Sequence, residues 1–408
     1  MRFTLCAIGT WGDVAPFMTL GRVLRQRGAE VAFAAPPEFA TAVVDAGLNF
    51  HPIAPTCTPL VKEVSTMTGS PLSALGLLVR ATKVITQEAL TELPAIAEGS
   101  HMLVATGIAY AAPHVAEALG IPYRAVCVCP RWYPSRSHPP TADAAVRRPK
   151  PVNSAAWWIN DRSTDRMLDE VVNPWRSGQS LSRVTGLYGR MIGLSGERFL
   201  AADEALAPLP DDIEGTRRVS AMPSFQPDSL PRQVEDFLAS GEPPVYIGFG
   251  SMQPKDAGRL LDLVLESASA LNVRTIIPQI WVQAASRSTP GACLAVGHVA
   301  FSQLFPRLAA VVHHGGAGTT TTAARSGVPQ LVIPHVMDQY YWGHRVHELG
   351  IGPRPLASNR LSARRLSAKL RETLDSTVIA EKARSVAGQL AGRDGATELA
   401  KALCRDLS

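Results

Sequence analysis

The residues with the plainest chemical content lie together in the run His313-His314-Gly315-Gly316-Ala317-Gly318-Thr319-Thr320-Thr321-Thr322. Small residues let backbone N–H groups come close to an anion, and a helix starting inside the run adds its dipole. Thr319 and Thr320 bring hydroxyl donors, and His314 can donate to, or carry charge beside, a phosphate oxygen. The run is not a Walker A loop, because no Gly-Lys-Ser/Thr follows, and the G-x-G-x-x-G fingerprint is absent. A tight glycine turn with a capping threonine would explain the glycines alone. The paired histidines in front of them favour a ligand site.

A second chemical residue stands far away in the chain. Asp13 follows an apolar run and Gly12, at the place where a strand would end and a helix begin. Such a carboxylate either caps the helix or faces a ligand at the strand's carboxyl end. Trp132, Tyr133, Trp157 and Trp158 could wall a pocket for a bulky molecule or simply fill the core. His344 and His347, three apart with His335 nearby, lack the carboxylate that would complete a metal set, so no metal is expected there.

These residues need a frame. Phe3-Thr4-Leu5-Cys6-Ala7-Ile8 reads as a buried strand, followed by Gly9-Thr10-Trp11-Gly12-Asp13 and then Phe17, Leu20 and Leu24 at helical spacing. Gly28 stands where that helix would stop, and residues 30–35 form a second strand. Strand, loop, helix, glycine and strand make a βαβ unit of a parallel sheet. The rhythm recurs at 102–105, at a helix near 111–119 and at a strand over 123–128. It restarts with a strand over 245–249, the loop Gly250-Ser251-Met252, a helix over 257–271 and a strand over 274–277. A strand over 310–313 enters the glycine-rich run, and a helix over 320–326 and a strand over 330–333 follow.

Prolines crowd residues 207–244, which read as an interdomain connection, and the basic, proline-rich stretch 134–152 reads as a lid or a disordered loop. The expected fold is α/β, with two Rossmann-like doubly wound parallel-sheet domains facing across a cleft. Their boundaries are expected at 1–215 and 216–380, with 381–408 a C-terminal helix packing back toward the first domain. Ligands of such sheets sit beyond the strand carboxyl ends.

Composition agrees with this frame. The 408 residues exceed one ordinary core, and 46% apolar against 18% charged residues fits packed domains rather than disorder. The net charge of +5 is spread along the chain, which argues against a nucleic-acid stripe. The six cysteines, Cys6, Cys57, Cys127, Cys129, Cys293 and Cys404, form no C-x-x-C pair and read as free thiols, so a cytoplasmic location is expected. The opening apolar run is too short for a signal peptide and reads as the first strand. No apolar run approaches the roughly 20 residues of a membrane span. Leu72, Leu75, Leu78, Val79 and Ile85 fit an amphipathic helix lining a core or pocket.

Several segments together resemble a known family. Val296-Gly297-His298-Val299, the His313–Thr319 run, Gly327-Val328-Pro329-Gln330-Leu331-Val332-Ile333-Pro334 and Asp338-Gln339 are similar to the donor-binding region of the GT-B nucleotide-sugar glycosyltransferases. The likeness is greatest to the vancomycin-group enzymes that decorate natural-product aglycones. Leu200-Ala201-Ala202-Asp203, the stretch from Gly241 to Ser251, and Gly12-Asp13 resemble the same group. The likeness spans the chain and is loosest over 55–195.

The resemblance implies a set of roles. His314 and the amides and hydroxyls of Gly316, Ala317, Gly318, Thr319 and Thr320 would hold a diphosphate, with a further contact from Ser251. His298 and Val299 would pack against the nucleobase, and Asp338 and Gln339 would bind the donor sugar. Asp13 would be the general base, with Trp11, Trp132 and Tyr133 around the acceptor. Trp11 replaces a basic residue common in the relatives. No D-x-D motif occurs, so the expected co-substrate is a metal-independent NDP-sugar, and a single displacement would invert the anomeric centre. Thr322 stands where plant relatives carry a ribose-gripping glutamate, which makes dTDP as plausible as UDP. The expected acceptor is a hydrophobic natural product, with neither nucleic acid nor an integral membrane association. An NDP-sugar epimerase or hydrolase, a non-catalytic sugar-nucleotide-binding protein and an enzyme with a sterol or lipid acceptor remain alternatives.

Overall fold

Along the first strand, Phe3, Leu5 and Ala7 join one apolar cluster while Cys6 and Ile8 join another, so both faces of the strand are covered. Period-two alternation with both faces buried is what a parallel sheet clad in helices requires. The computed structural model describes residues 1–56, 71–141, 143–144, 146–194, 196, 198–250 and 256–407. Ser251 and Cys57 lie outside the described residues, as do the side chains of Leu72 and Leu75.

Two parallel sheets are built. The first contains β1 (Arg2–Ile8), β2 (Glu30–Ala35), β3 (Asn49–Pro52), β4 (Met102–Gly107), β5 (Tyr123–Cys127), β6 (Arg198–Ala201) and β7 (Thr216–Val219), in the order β3-β2-β1-β4-β5-β6-β7. The second contains β8 (Val245–Gly248), β9 (Thr275–Pro278), β10 (Cys293–Val296), β11 (Ala310–His313) and β12 (Gln330–Val332), in the order β10-β9-β8-β11-β12. This is the expected α/β, doubly wound pair.

The boundaries shift. Thr216-Arg217-Arg218-Val219 pairs with β6 and completes the first sheet, so that domain extends past 215. Residues 207–244 are therefore no plain linker, because they also include the helix Arg232–Ala239. The segment 381–408 is not one helix either. Thr377–Leu390 packs on the helix Ala317–Arg325 of the second domain, and only Gly395–Arg405 crosses over to pack on the first helix, Trp11–Gln26.

That crossing helix offers Ala396, Leu399, Ala400 and Leu403 at helical spacing to the cluster of Phe3, Leu5 and Phe17. Each buried leucine contributes about 2 kcal/mol. Asp394 caps the helix through the Ala396 and Thr397 amides, and Glu398 accepts from the Ser220 N–H and hydroxyl at 2.7 and 2.9 Å. The chain end thus ties the two domains together.

The described residues of the basic stretch 134–152 are anchored rather than loose. The buried Arg131 guanidinium donates to the carbonyls of Pro139, Pro140 and Asp143. Asp212 accepts from the Ser135 hydroxyl and the Arg136 amide, and from Lys150 onward the chain is helix Lys150–Gly178.

Candidate active site

Strand order reverses between β1 and β4 in the first sheet and between β8 and β11 in the second. Loops leaving the strands there diverge and open a crevice. Those loops carry Gly9–Asp13 and Gly107 on one side, and Gly250 and His314–Gly316 on the other.

On the second domain the turn is shaped by His313. This ring is fully buried; its Nδ1 accepts from the Gly315 N–H at 3.1 Å and its Nε2 lies 2.9 Å from Gln330 Oε1. Those two partners fix the proton on Nε2. Gly315 has a φ of +90°, and a Cβ there would stand 2.8 Å from the Gln339 carbonyl oxygen and from Val332 Cγ1. Only glycine fits.

The helix Ala317–Arg325, here called the cradle helix, then starts with Gly316 at its N-cap and no side chain capping it. The amides of Ala317, Gly318 and Thr319 belong to the first turn and have no intrahelical acceptor. They constitute the anion-seeking end of the helix dipole. The His314 ring leans over this end: a Cβ on Gly250 or Gly316 would stand 2.7 or 2.6 Å from it. Burial, reinforced by the neighbouring His313 and His335, lowers the His314 pKa to about 3, and its Nδ1 has no partner among the described residues. Without a ligand His314 is therefore neutral. It can offer a hydrogen bond but not the positive charge that the sequence also allowed.

Two threonines behave differently from the expectation. Thr320 is fully buried and its hydroxyl donates to the Gly316 carbonyl at 2.8 Å, while Thr322 does the same to Gly318. Hydroxyls so used cap their own helix backbone. Thr319 stays partly exposed at the first turn.

On the first domain, Thr10 caps the helix Trp11–Gln26. The Thr10 N–H and hydroxyl donate to Asp13 Oδ2 at 2.8 and 3.3 Å, closing a capping box. The other oxygen, Oδ1, lies 3.5 Å from where a side chain on Gly107 would begin. The capping reading of Asp13 thus holds through one oxygen, and the other stands beside Gly107. Burial raises its pKa, opposed by the two Thr10 hydrogen bonds. Asp13 also lines a cavity of about 20 Å³ with Thr106, Gly107, Cys127 and Trp132, room for one water-sized group.

Asp338 and Gln339 sit at the start of the helix Gln339–Glu348. Asp338 occupies the N-cap position but does not cap; its Oδ2 accepts from the Trp342 indole N–H at 3.1 Å. Burial pushes its pKa up to about 6, opposed by Trp342 and reinforced by the charge of Asp13 from the other domain. The two carboxylates thus share one field across the crevice. The Gln339 side-chain oxygen Oε1 accepts from the His335 and Val336 amides at 2.8 and 3.1 Å, so it shapes the preceding loop.

His298 is exposed after β10, while Val299 is buried in the core. The Trp11 ring meets His298 edge-on at 4.9 Å, so the first domain touches the second domain at that loop. Trp11 therefore lies beside the expected nucleobase segment rather than facing only the acceptor. Trp132 is half-buried at the Asp13 cavity, but Tyr133 is wholly buried, its hydroxyl donating to the Phe199 carbonyl at 2.8 Å. Tyr133 belongs to the core rather than to an acceptor wall. Trp157 is likewise buried, and Trp158 is exposed on the long helix.

Comparison with known proteins decides the family. Residues 262–405 match the model of the erythromycin biosynthesis protein CIII-like C-terminal domain, and residues 3–135 match that of the glycosyltransferase family 28 N-terminal domain. Glycosyltransferase GtfE of Amycolatopsis orientalis is 35% identical over 361 residues, covering 86% of this chain and 85% of that protein. The vancomycin aglycone glucosyltransferase of the same organism is 34% identical with the same coverage. The chain belongs to the vancomycin-group GT-B glycosyltransferases. The solved structure of glycosyltransferase VinC in complex with DTDP shares the fold, with a TM-score of 0.74 at 20% identity, covering 100% of this chain and 99% of that one.

For this glycosyltransferase, two features of the site, Ser224 and Arg131, carry no signal in the sequence, and a third does. Ser224, in the segment between domains, places its Oγ 3.2 Å from where a Cβ on Gly318 would stand, against the first turn of the cradle helix. The tie between Asp13 and Thr10 was readable from the Thr-x-x-Asp spacing. The buried Arg131, whose charge reaches Asp338, carries no local signal in its Pro-Arg-Trp context. Among the described residues no group of three or more His, Cys, Asp or Glu is arranged to hold a metal, and no helix is long and apolar enough to cross a membrane.

Proposed function

We propose that this glycosyltransferase moves a sugar from a dTDP- or UDP-sugar to a hydroxyl of a natural-product aglycone by a single inverting displacement that needs no metal. The observation that carries this reading is the uncapped helix start at the second sheet's switch point, set opposite Asp13 at the first, with Asp338 near enough to feel the Asp13 charge. The diphosphate sits on the Ala317, Gly318 and Thr319 amides, with His314 and Thr319 donating from the side. As the glycosidic bond breaks, negative charge grows on the leaving phosphate, and the helix dipole and first-turn amides meet it there.

Asp338 accepts hydrogen bonds from the sugar hydroxyls, oriented by Trp342. Asp13 Oδ1 takes the proton of the attacking hydroxyl while Oδ2 stays fixed by Thr10, so the base is held in one orientation. Its raised pKa brings it nearer to working pH than a free carboxylate. The acceptor approaches past Trp132. Support for the aglycone class comes from relatives named for vancomycin aglycone and for O-mycaminosyltylonolide, the latter a Streptomyces fradiae enzyme 29% identical over 97% of this chain. The DTDP complex of a structural neighbour is consistent with a deoxyribose nucleotide.

Incubation with dTDP- and UDP-glucose and a panel of aglycones, with product stereochemistry read by NMR, tests the reading. An inverted glycoside formed in EDTA supports it. Retention of configuration, or loss of activity on chelation, contradicts it.

A further inference from the structure

The two helices that carry the donor groups share a feature at their other ends. The cradle helix ends in Arg325, whose Nε and Nη2 donate to the two carboxylate oxygens of Asp203 at 3.2 and 3.0 Å, with Nη2 also donating to the Ala221 carbonyl at 3.1 Å. The helix Gln339–Glu348 carries Arg345 near its end, whose Nε and Nη2 donate to the carbonyls of Leu206 and Ala205 at 2.8 and 3.1 Å. Asp203, Ala205 and Leu206 all belong to the turn after β6 of the first domain.

That turn is stiff. The Asp203 carbonyl accepts from the Leu206 and Ala207 amides, and Arg218 of β7 donates to the carbonyls of Ala202 and Ala207. The Asp203 side chain is 1% exposed and also accepts from the Ala221 amide at 3.2 Å. A bidentate, buried arginine–carboxylate pair fixes direction as well as distance. One short segment of the Asp13 domain thus holds both donor helices by their carboxyl ends. From Arg325 to the cradle is one nine-residue helix, or about 13 Å of rigid rod.

We propose that Asp203, Arg325 and Arg345 are positioning residues that set the register of the two donor helices against Asp13. This rests on the functional reading above. None of the three touches the reacting atoms; they act through the helices. Loosening either clamp lets the donor drift relative to the base while leaving the first-turn amides and His314 intact. The affinity for nucleotide then stays, and the transfer step slows.

The test measures dTDP and UDP affinity by calorimetry, and kcat, on Arg325→Gln, Arg325→Lys, Asp203→Asn and Arg345→Gln. A misplacement near 1 Å costs on the order of 100-fold in rate, so a kcat loss of roughly 10- to 100-fold is expected for Arg325→Gln and Asp203→Asn. Nucleotide affinity should stay within about twofold, because the first-turn anion site is untouched. Arg325→Lys, which keeps one donor and the charge, should recover part of kcat. Arg345→Gln reads the second clamp at a less buried site should the Asp203 variant fail to fold. Nucleotide affinity falling in step with kcat, or an unchanged kcat in folded Arg325→Gln and Arg345→Gln, overturns the proposal. A wild-type protein that binds neither nucleotide overturns the functional reading itself.

Discussion

At the lip of the five-stranded sheet the proposed ligand groups are chiefly main-chain amides at a helix start, whereas at the lip of the seven-stranded sheet they are side chains from separate elements. The donor lip depends on the backbone path through Gly315 and Gly316, held by His313 and Gln330. The acceptor lip depends on Asp13, fixed by Thr10, and on Trp132, which a different strand delivers. An anion site made of amides is written in consecutive residues; a pocket made of side chains is written in the tertiary structure.

Five substitutions test this contrast. Asp13→Ala should lower kcat by roughly 100- to 10,000-fold while nucleotide affinity holds, since it removes the base and leaves the opposite lip alone. Equal losses in both would mean that the two lips are not separable. Gly315→Ala should do the reverse. It forces a side chain into a positive-φ position at about 1–3 kcal/mol, and nucleotide affinity should weaken by roughly 10- to 100-fold.

Asp338→Asn should cost roughly 10-fold in kcat/KM at neutral pH and remove the acidic limb of its pH profile near 6. The sign for stability follows from the raised pKa. The folded state binds this proton more tightly than the unfolded one, so ionising Asp338 destabilises the fold as pH climbs from about 4 to about 6. Asp338→Asn should therefore raise Tm at pH 7 while lowering activity; a fall in Tm would count against the assigned environment. His314 runs the opposite way: with its pKa depressed to about 3, stability should fall as pH drops below about 6.5 toward that value.

The smallest effects separate the two aromatic neighbours. Trp132→Ala should raise the acceptor KM by about fivefold without touching nucleotide affinity. Tyr133→Phe should leave both constants alone and cost about 1 kcal/mol of stability for the lost bond to Phe199. An acceptor KM that responds to Tyr133→Phe would return that residue to the pocket.

Legibility followed the same division. The buried parallel strands announced themselves as apolar runs, and the glycine run with its two histidines marked the proposed anion site. The strand Thr216-Arg217-Arg218-Val219 did not, because an edge strand with three polar residues lacks an apolar signature. The helix Lys150–Gly178 went unread, since its buried residues Trp157, Leu168 and Val172 are widely spaced in a polar sequence. His313 and His314 looked like one feature, yet one shapes the turn and the other leans over the helix start, a split that only Gln330 and Gly315 reveal. Tyr133 looked like its neighbour Trp132, and the carbonyl that claims its hydroxyl lies 66 residues away.

Calorimetric titration of dTDP and UDP into the wild-type and Gly315→Ala proteins tests the central claim most directly. One site per chain for at least one nucleotide is expected in the wild type, with affinity reduced by about tenfold or more in the variant. Wild-type protein that binds neither nucleotide, or a Gly315→Ala protein that binds as tightly as wild type, would contradict it.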